Sequence, residues 1–165
     1  SRLVDDEDFD EFSAGCDAGN GFSSCTYWYE QTGLGNFNDM WWTGTISAPE
    51  SDYWAKWSPN IPSSGIYDVE VYVPYNYATT WQADFRVRGA DNILHHTIVD
   101  QYGVNPGRWL SLGTHYFATG GSSLQSVWVD DNTGEALSTG RKLGIDAVRF
   151  QRKETWHIYL PTIIR

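Results

Sequence analysis

Six carboxylates crowd the first eleven residues, at Asp5, Asp6, Glu7, Asp8, Asp10 and Glu11. Oxygen donors at alternate positions suit a hard cation such as calcium, which binds carboxylates and carbonyls rather than nitrogen or sulfur. Counted as a calcium loop, Asp6, Asp8 and Asp10 fall at the first, third and fifth positions and Asp17 at the twelfth, but Glu11 stands where such a loop needs glycine. The expectation is a calcium site that uses part of this run, Asp5, Asp6, Asp8 and Asp10. A solvated acidic loop is the simpler alternative. A second group, Asp130, Asp131 and Glu135 around Asn132, reads as a β-turn of the Asp-Asn-Thr-Gly kind.

Catalytic chemistry finds little footing. The chain has no GxSxG elbow, HExxH pair, P-loop or dinucleotide fingerprint. Its histidines are His95, His96, His115 and His157, and the adjacent pair must point to opposite faces if it lies on a strand. Carboxylate pairs abound, but a glycosidase needs two of them about 5 to 9 Å apart in a cleft. No enzyme is expected.

Aromatic side chains offer another chemistry. Nine Trp, ten Tyr and seven Phe supply flat apolar faces, and the apolar side of a pyranose stacks on such a ring while its hydroxyls meet nearby polar groups. Outside the clear core faces lie Trp28, Trp41, Trp42, Trp54, Tyr75, Tyr77 and Trp81. The stretch from Pro74 to Trp81 joins two strands, the kind of loop in which binding residues concentrate. Tyr75, Tyr77 and Trp81 are therefore the expected sugar platform. Most of the other tryptophans are expected to serve packing.

The elements that would position these residues are strands. Ile66 to Val73 sets Tyr67, Val69, Val71 and Val73 on one face and Asp68, Glu70 and Tyr72 on the other. Gln82 to Arg88 does the same with Ala83, Phe85 and Val87 inward. Strand character recurs at Thr26 to Glu30, Met40 to Ile46, Tyr53 to Trp57, His95 to Asp100, Trp109 to Gly113, Leu124 to Asp130, Lys142 to Phe150 and Trp156 to Ile164. About ten short strands without crossover helices predict an all-β, antiparallel jelly-roll sandwich with no substantial helix. Residues 1–150 form the sandwich in this reading, and 151–165 add a C-terminal extension strand that packs on its own sheet or on a neighbouring subunit.

At 165 residues one domain can bury roughly 70% of its unfolded surface. A net charge of -10 repels nucleic acid and anionic membrane surfaces, and no apolar run reaches the roughly 20 residues of a bilayer span. Cys16 and Cys25 share a loop of Gly, Ser, Asn and Asp, which offers neither apolar burial for free thiols nor a metal quartet. A disulfide closing a short loop is the expectation. It implies an oxidising compartment, and with an opening at Ser1 rather than Met it suggests an exported product.

From Tyr53 onward the landmarks AKWSPNIPSSGIYDVEVYVP, ADFRV, IVDQ, GRWLSLGTHYF, SVWVDDNTG and GIDAVRF follow in order. This order resembles the golvesin C-terminal or xanthan-lyase carbohydrate-binding-like domain, and the opening LVDDED resembles that domain's first strand. The resemblance implies an accessory β-sandwich of exported bacterial enzymes or surface proteins. One departure is Arg88, where the resemblance leads one to expect a histidine.

Two functions follow. The first is a non-catalytic extracellular module of surface structure or adhesion. It would assemble with copies of itself into a filament through Trp156, Ile158, Tyr159, Leu160, Ile163 and Ile164, whose apolar character is unsuited to water. The alternative is a carbohydrate-binding module of a secreted enzyme, with polysaccharide as partner. Neither needs a cofactor beyond calcium.

Overall fold

A computed structural model describes residues 1–17 and 19–154. Its strands are β1 (Arg2–Val4), β2 (Phe12–Cys16), β3 (Gly19–Asn20), β4 (Tyr29–Thr32), β5 (Asp39–Gly44), β6 (Tyr53–Trp57), β7 (Asn60–Ile61) and β8 (Gly65–Val73). These are followed by β9 (Ala83–Arg88), β10 (Leu94–Val99), β11 (Arg108–Phe117), β12 (Gly120–Gly121), β13 (Ser126–Asp130), β14 (Lys142–Ile145) and β15 (Val148–Arg152). All pairings are antiparallel. A four-stranded sheet, β1-β15-β8-β11, and a six-stranded sheet, β10-β9-β13-β6-β2-β3, form a β-sandwich around one core. A three-stranded sheet, β14-β5-β4, and the short pair β12-β7 complete it. The described residues contain no α-helix.

Side-chain alternation explains how the sheets meet. In β8, Tyr67, Val69, Val71 and Val73 are all fully buried, and in β9 Ala83, Phe85 and Val87 are too. A period of two puts every second residue on the same face of a strand, so each sheet presents one apolar surface and must cover it. On the inner face of the four-stranded sheet, the Phe117 ring of β11 meets Tyr67 of β8 at 6.0 Å and Phe150 of β15 at 5.3 Å, both edge-on. The edge-to-face geometry places positive ring edges on negative ring faces.

The predicted strand from Lys142 to Phe150 divides in two. Residues 142–145 pair with β5 in the three-stranded sheet, and residues 148–152 pair with β8 and β1 in the four-stranded sheet. Asp146 and Ala147 are the corner between them. In β11 the strand continues well past Gly113, because a register shift between Ser111 and Gly113 absorbs the bend. Gly113 sits there at φ +100°, a conformation that a side chain would strain. Strand β2 carries the small residues Ser13, Ala14 and Gly15, so its sequence has no strong strand signature. The strand expected from sequence at Trp156, Ile158, Tyr159, Leu160, Ile163 and Ile164 lies outside the described residues.

Cys16 and Cys25 are joined by a disulfide with Cα atoms 5.8 Å apart. It ties the end of β2 to the residue after a short 3-10 turn at Phe22–Ser24, where closing a loop of this length contributes about 2 to 3 kcal/mol in the chain-entropy account. Phe117→Ala should leave a void in the core that backbone strands cannot collapse to fill. We expect a loss of about 3 to 5 kcal/mol in unfolding free energy by denaturant titration with an unchanged slope. A loss below about 1 kcal/mol would mean that this ring is not part of the packed core.

Candidate functional site

A chain of ring contacts leads from the core to the surface. Trp57 packs on Phe85 at 6.3 Å and on Phe12 at 5.4 Å, and Phe12 stacks on Phe22 at 5.8 Å. Phe22 lies flat on Trp41 at 3.7 Å and meets the edge of Trp28 at 5.8 Å. Trp28 then contacts Tyr53 at 6.0 Å, and Tyr53 contacts Tyr27 at 6.2 Å. Trp28 also gives its indole N–H to the carbonyl of Gly15 at 3.2 Å. Gly15 is required for a second reason: a Cβ there would fall within 2.5 Å of the Trp54 ring.

The outer end of this chain is one wall of a cleft of about 380 Å³ between the three-stranded sheet and the start of β6. Tyr27 and Tyr29 keep 58% and 41% of their surface exposed, although aromatic rings on a domain without a partner are usually buried. Tyr29 stacks on Trp42 at 4.5 Å, directly across the β4–β5 pair. Asp52 and Asp131 supply oxygens beside the rings. Apolar faces next to a few fixed hydrogen-bonding groups are the usual makeup of a small-molecule pocket, and the volume lies in the usual range.

The carboxylates of the 130–135 segment are not merely a solvated turn. Asp131 is buried and accepts the N–H of Asp52 at 3.0 Å. Desolvation on burial pushes its carboxyl up to about 6, against the pull of the backbone N–H groups that it accepts. Glu135 is also buried, bound by the hydroxyls of Thr80 and Thr133 and by the N–H of Trp81 at 3.2 Å. Their inward direction depends on residues some 50 to 80 positions away in the chain and so leaves no local sequence signal.

Tyr75, Tyr77 and Trp81 go to different neighbours. Tyr77 stacks on Trp42 at 5.8 Å, and the Lys142 ammonium lies 4.4 Å from the centre of the Trp42 ring and 4.8 Å from that of Tyr77. Trp81 is 48% exposed and meets the edge of Tyr102 at 5.8 Å, with the Arg141 guanidinium 3.7 Å from its ring centre. Tyr75 is exposed. No ring contact joins the three to one another among the described residues. The cleft tyrosines Tyr27 and Tyr29 were not singled out from sequence, because nothing local marks them as exposed. The histidines also diverge: His96 pairs with Asp84 at 2.9 Å, while His95 meets Asp91 at 3.3 Å and His115 at 4.8 Å.

The acidic N-terminal run splits as well. Asp5 and Asp6 turn inward after β1 and meet Asp146 at the β14–β15 corner, with one carboxylate oxygen from each within 4.8 Å of the others. Asp10 is exposed, and Asp8 turns to accept the N–H of Asp5 at 3.0 Å. Asn36 orders the cluster: its N–H bonds Asp146 Oδ2 at 2.8 Å and its side-chain amide bonds Asp5 Oδ2 at 3.1 Å. Gly35 holds Asn36 there at φ +88°, and a Cβ at that position would lie 2.5 Å from Asp146 Oδ2. Burial, and then the neighbouring acids, push Asp6 far above the usual carboxylate range; burial pushes Asp146 up to about 9 and Asp39 beside them to about 6.

The sequence profile of the Golvesin C-terminal domain matches residues 17–152. The fold is similar to part of a xanthan lyase from Paenibacillus, at TM-score 0.69 and 19% identity over 92% of this chain. It is also similar to part of a GH26-CBM35 β-(1,4)-mannanase from Podospora anserina, at TM-score 0.50 and 13% identity over 90% of this chain. At these identities the likeness is one of fold. The chain spans 13% of the xanthan lyase and 29% of the mannanase. No curated protein matches the chain.

Asp131 gives a pH test of the cleft. Its carboxyl titrates near 3.8 when unfolded and about 6 when folded, so the folded state binds more protons and stability falls as pH rises through that window. Asp131→Asn keeps an acceptor for the Asp52 N–H and removes the titration. Across denaturant titrations from pH 4 to pH 7, wild type should lose stability relative to Asp131→Asn between about pH 4 and 6 and run parallel above that. A constant difference throughout would place the carboxyl in water.

Proposed function

The chain belongs to the Golvesin C-terminal domain family, and from that premise we propose that it is a non-catalytic carbohydrate-binding module of a larger extracellular protein. The observation that carries this reading is the cleft in which Tyr27 and Tyr29 stand exposed beside Asp52 and Asp131. Stacked rings would take the apolar faces of successive sugars. The two carboxylates and the tyrosine hydroxyls would accept and donate to sugar hydroxyls, giving direction to otherwise unspecific stacking. Tyr53, held by Trp28, and Trp42, held by Tyr77 and Lys142, lose little conformational freedom when a ligand arrives.

Fold-level likeness to polymer-acting enzymes supports the same reading. Proteins named xanthan lyase and mannanase carry the fold as a minor part of their length, which suits a part that holds a polysaccharide near a separate catalytic unit. The disulfide between Cys16 and Cys25 suits an oxidising location outside the cytoplasm. These observations favour sugar binding over filament assembly, the reading that rested on the C-terminal strand.

Affinity electrophoresis through gels containing xanthan, β-mannan or a neutral glucan tests the proposal. Wild type should be retarded by at least one polysaccharide. Tyr27→Ala and Tyr29→Ala should each weaken retardation about tenfold, equivalent to about 1.4 kcal/mol. Trp128→Ala, on the outer face of the six-stranded sheet, should not. No retardation by any polymer, or full retardation of the Tyr27→Ala/Tyr29→Ala double variant, would overturn it.

A further inference from the structure

We propose that Asp5, Asp6 and Asp146 hold a calcium ion that fastens the N-terminal strand to the β14–β15 corner. The three residues are 5%, 1% and 0% exposed. Asp5 Oδ1, Asp146 Oδ1 and both carboxylate oxygens of Asp6 have no hydrogen-bond partner. Four orphaned carboxylate oxygens in one buried place are costly, since a buried charge without a partner is among the most unfavourable groups that a fold can contain. They are also directed. Asn36 occupies Asp5 Oδ2 and Asp146 Oδ2, which fixes both carboxylates and leaves Asp5 Oδ1 and Asp146 Oδ1 without a partner in the cluster with Asp6. This division of labour, with one oxygen held by an outer amide and one left free, is how proteins orient carboxylate ligands around a metal.

The donors select the ion. Only oxygens are offered, all of them anionic, with no imidazole or thiolate among them, so a hard divalent cation fits and zinc does not. Calcium accepts six to eight oxygens in irregular arrangements and completes its shell with water or backbone carbonyls, whereas magnesium resists dehydration. Compared with the sequence expectation, Asp8 and Asp10 leave the ligand set and Asp146, about 140 residues away, enters it. The cation would join β1, the 33–38 loop and the corner at which the chain passes from the three-stranded sheet to the four-stranded one.

The full chain, stripped with a chelator and titrated with calcium, tests this. We expect one ion per chain by calorimetry and a melting temperature that rises by about 5 to 10 °C at a hundredfold excess over Kd. Asp6→Asn and Asp146→Asn should fold, because each removes like charge, and should lose the calcium response. Asp10→Asn should keep it. An independent readout on wild type is terbium emission excited through tryptophan, because the Trp57 indole nitrogen lies 2.9 Å from the Asp146 carbonyl oxygen; calcium should displace that emission. The proposal is overturned by no bound ion up to millimolar calcium, by a response preserved in Asp6→Asn and Asp146→Asn, or by the absence of calcium-competed terbium emission.

Discussion

Trp57 has no surface in contact with water, and every part of its side chain is committed. Its ring packs between Phe12 and Phe85, and its N–H is given to the carbonyl of Asp146. A buried indole must find a partner for its one donor or lose about 1 to 3 kcal/mol, so the position of this ring and the position of the β14–β15 corner are set together. On one side the ring chain through Phe12, Phe22 and Trp28 reaches Tyr53 and Tyr27. On the other lies the carboxylate cluster. Both candidate sites are therefore fixed relative to one side chain, and neither can shift without disturbing the core.

The distribution of charge follows the same division. An acidic chain would ordinarily keep its carboxylates in water, where repulsion among them is screened. Here Asp5, Asp6, Asp39, Asp131, Glu135 and Asp146 are buried. Asp131 and Glu135 are satisfied by backbone N–H groups and hydroxyls and shape loops around the cleft. Asp5, Asp6 and Asp146 are satisfied only in part, and that difference separates a structural acid from a ligand. Aromatic residues divide in a similar way, with Trp28 and Trp57 buried while Tyr27 is left half open at the end of the same contact chain and Tyr29 half open on Trp42.

Local patterns in the sequence were enough for the strands with clean alternation, for the all-β class and for the disulfide. Residues 53–57 and 83–88 read as strands because a period of two is visible within five or six residues. Two kinds of feature were not legible. Lys142 to Phe150 reads as one strand because the residues on both sides of Asp146 are apolar, and only the competition between two sheets for their hydrogen bonds breaks the run. Partners distant in sequence are equally silent: Asp146 joins Asp5 and Asp6, and Tyr77 chooses Trp42 over Trp81, through contacts that no window of the chain contains. The family resemblance conveyed the order of the strands but not which rings face water.

The central claim is that polysaccharide binds along the cleft between the three-stranded sheet and the start of β6. An amide and indole NMR titration with oligosaccharides cut from a polymer that the protein retains would locate the contact directly. The account predicts that the largest shifts cluster at residues 27–29, 42–46, 52–53 and 131, with the Trp57 indole unmoved in the core. Shifts confined to Trp54 and Trp128 on the outer sheet face, or to Tyr75 and Trp81, would contradict it.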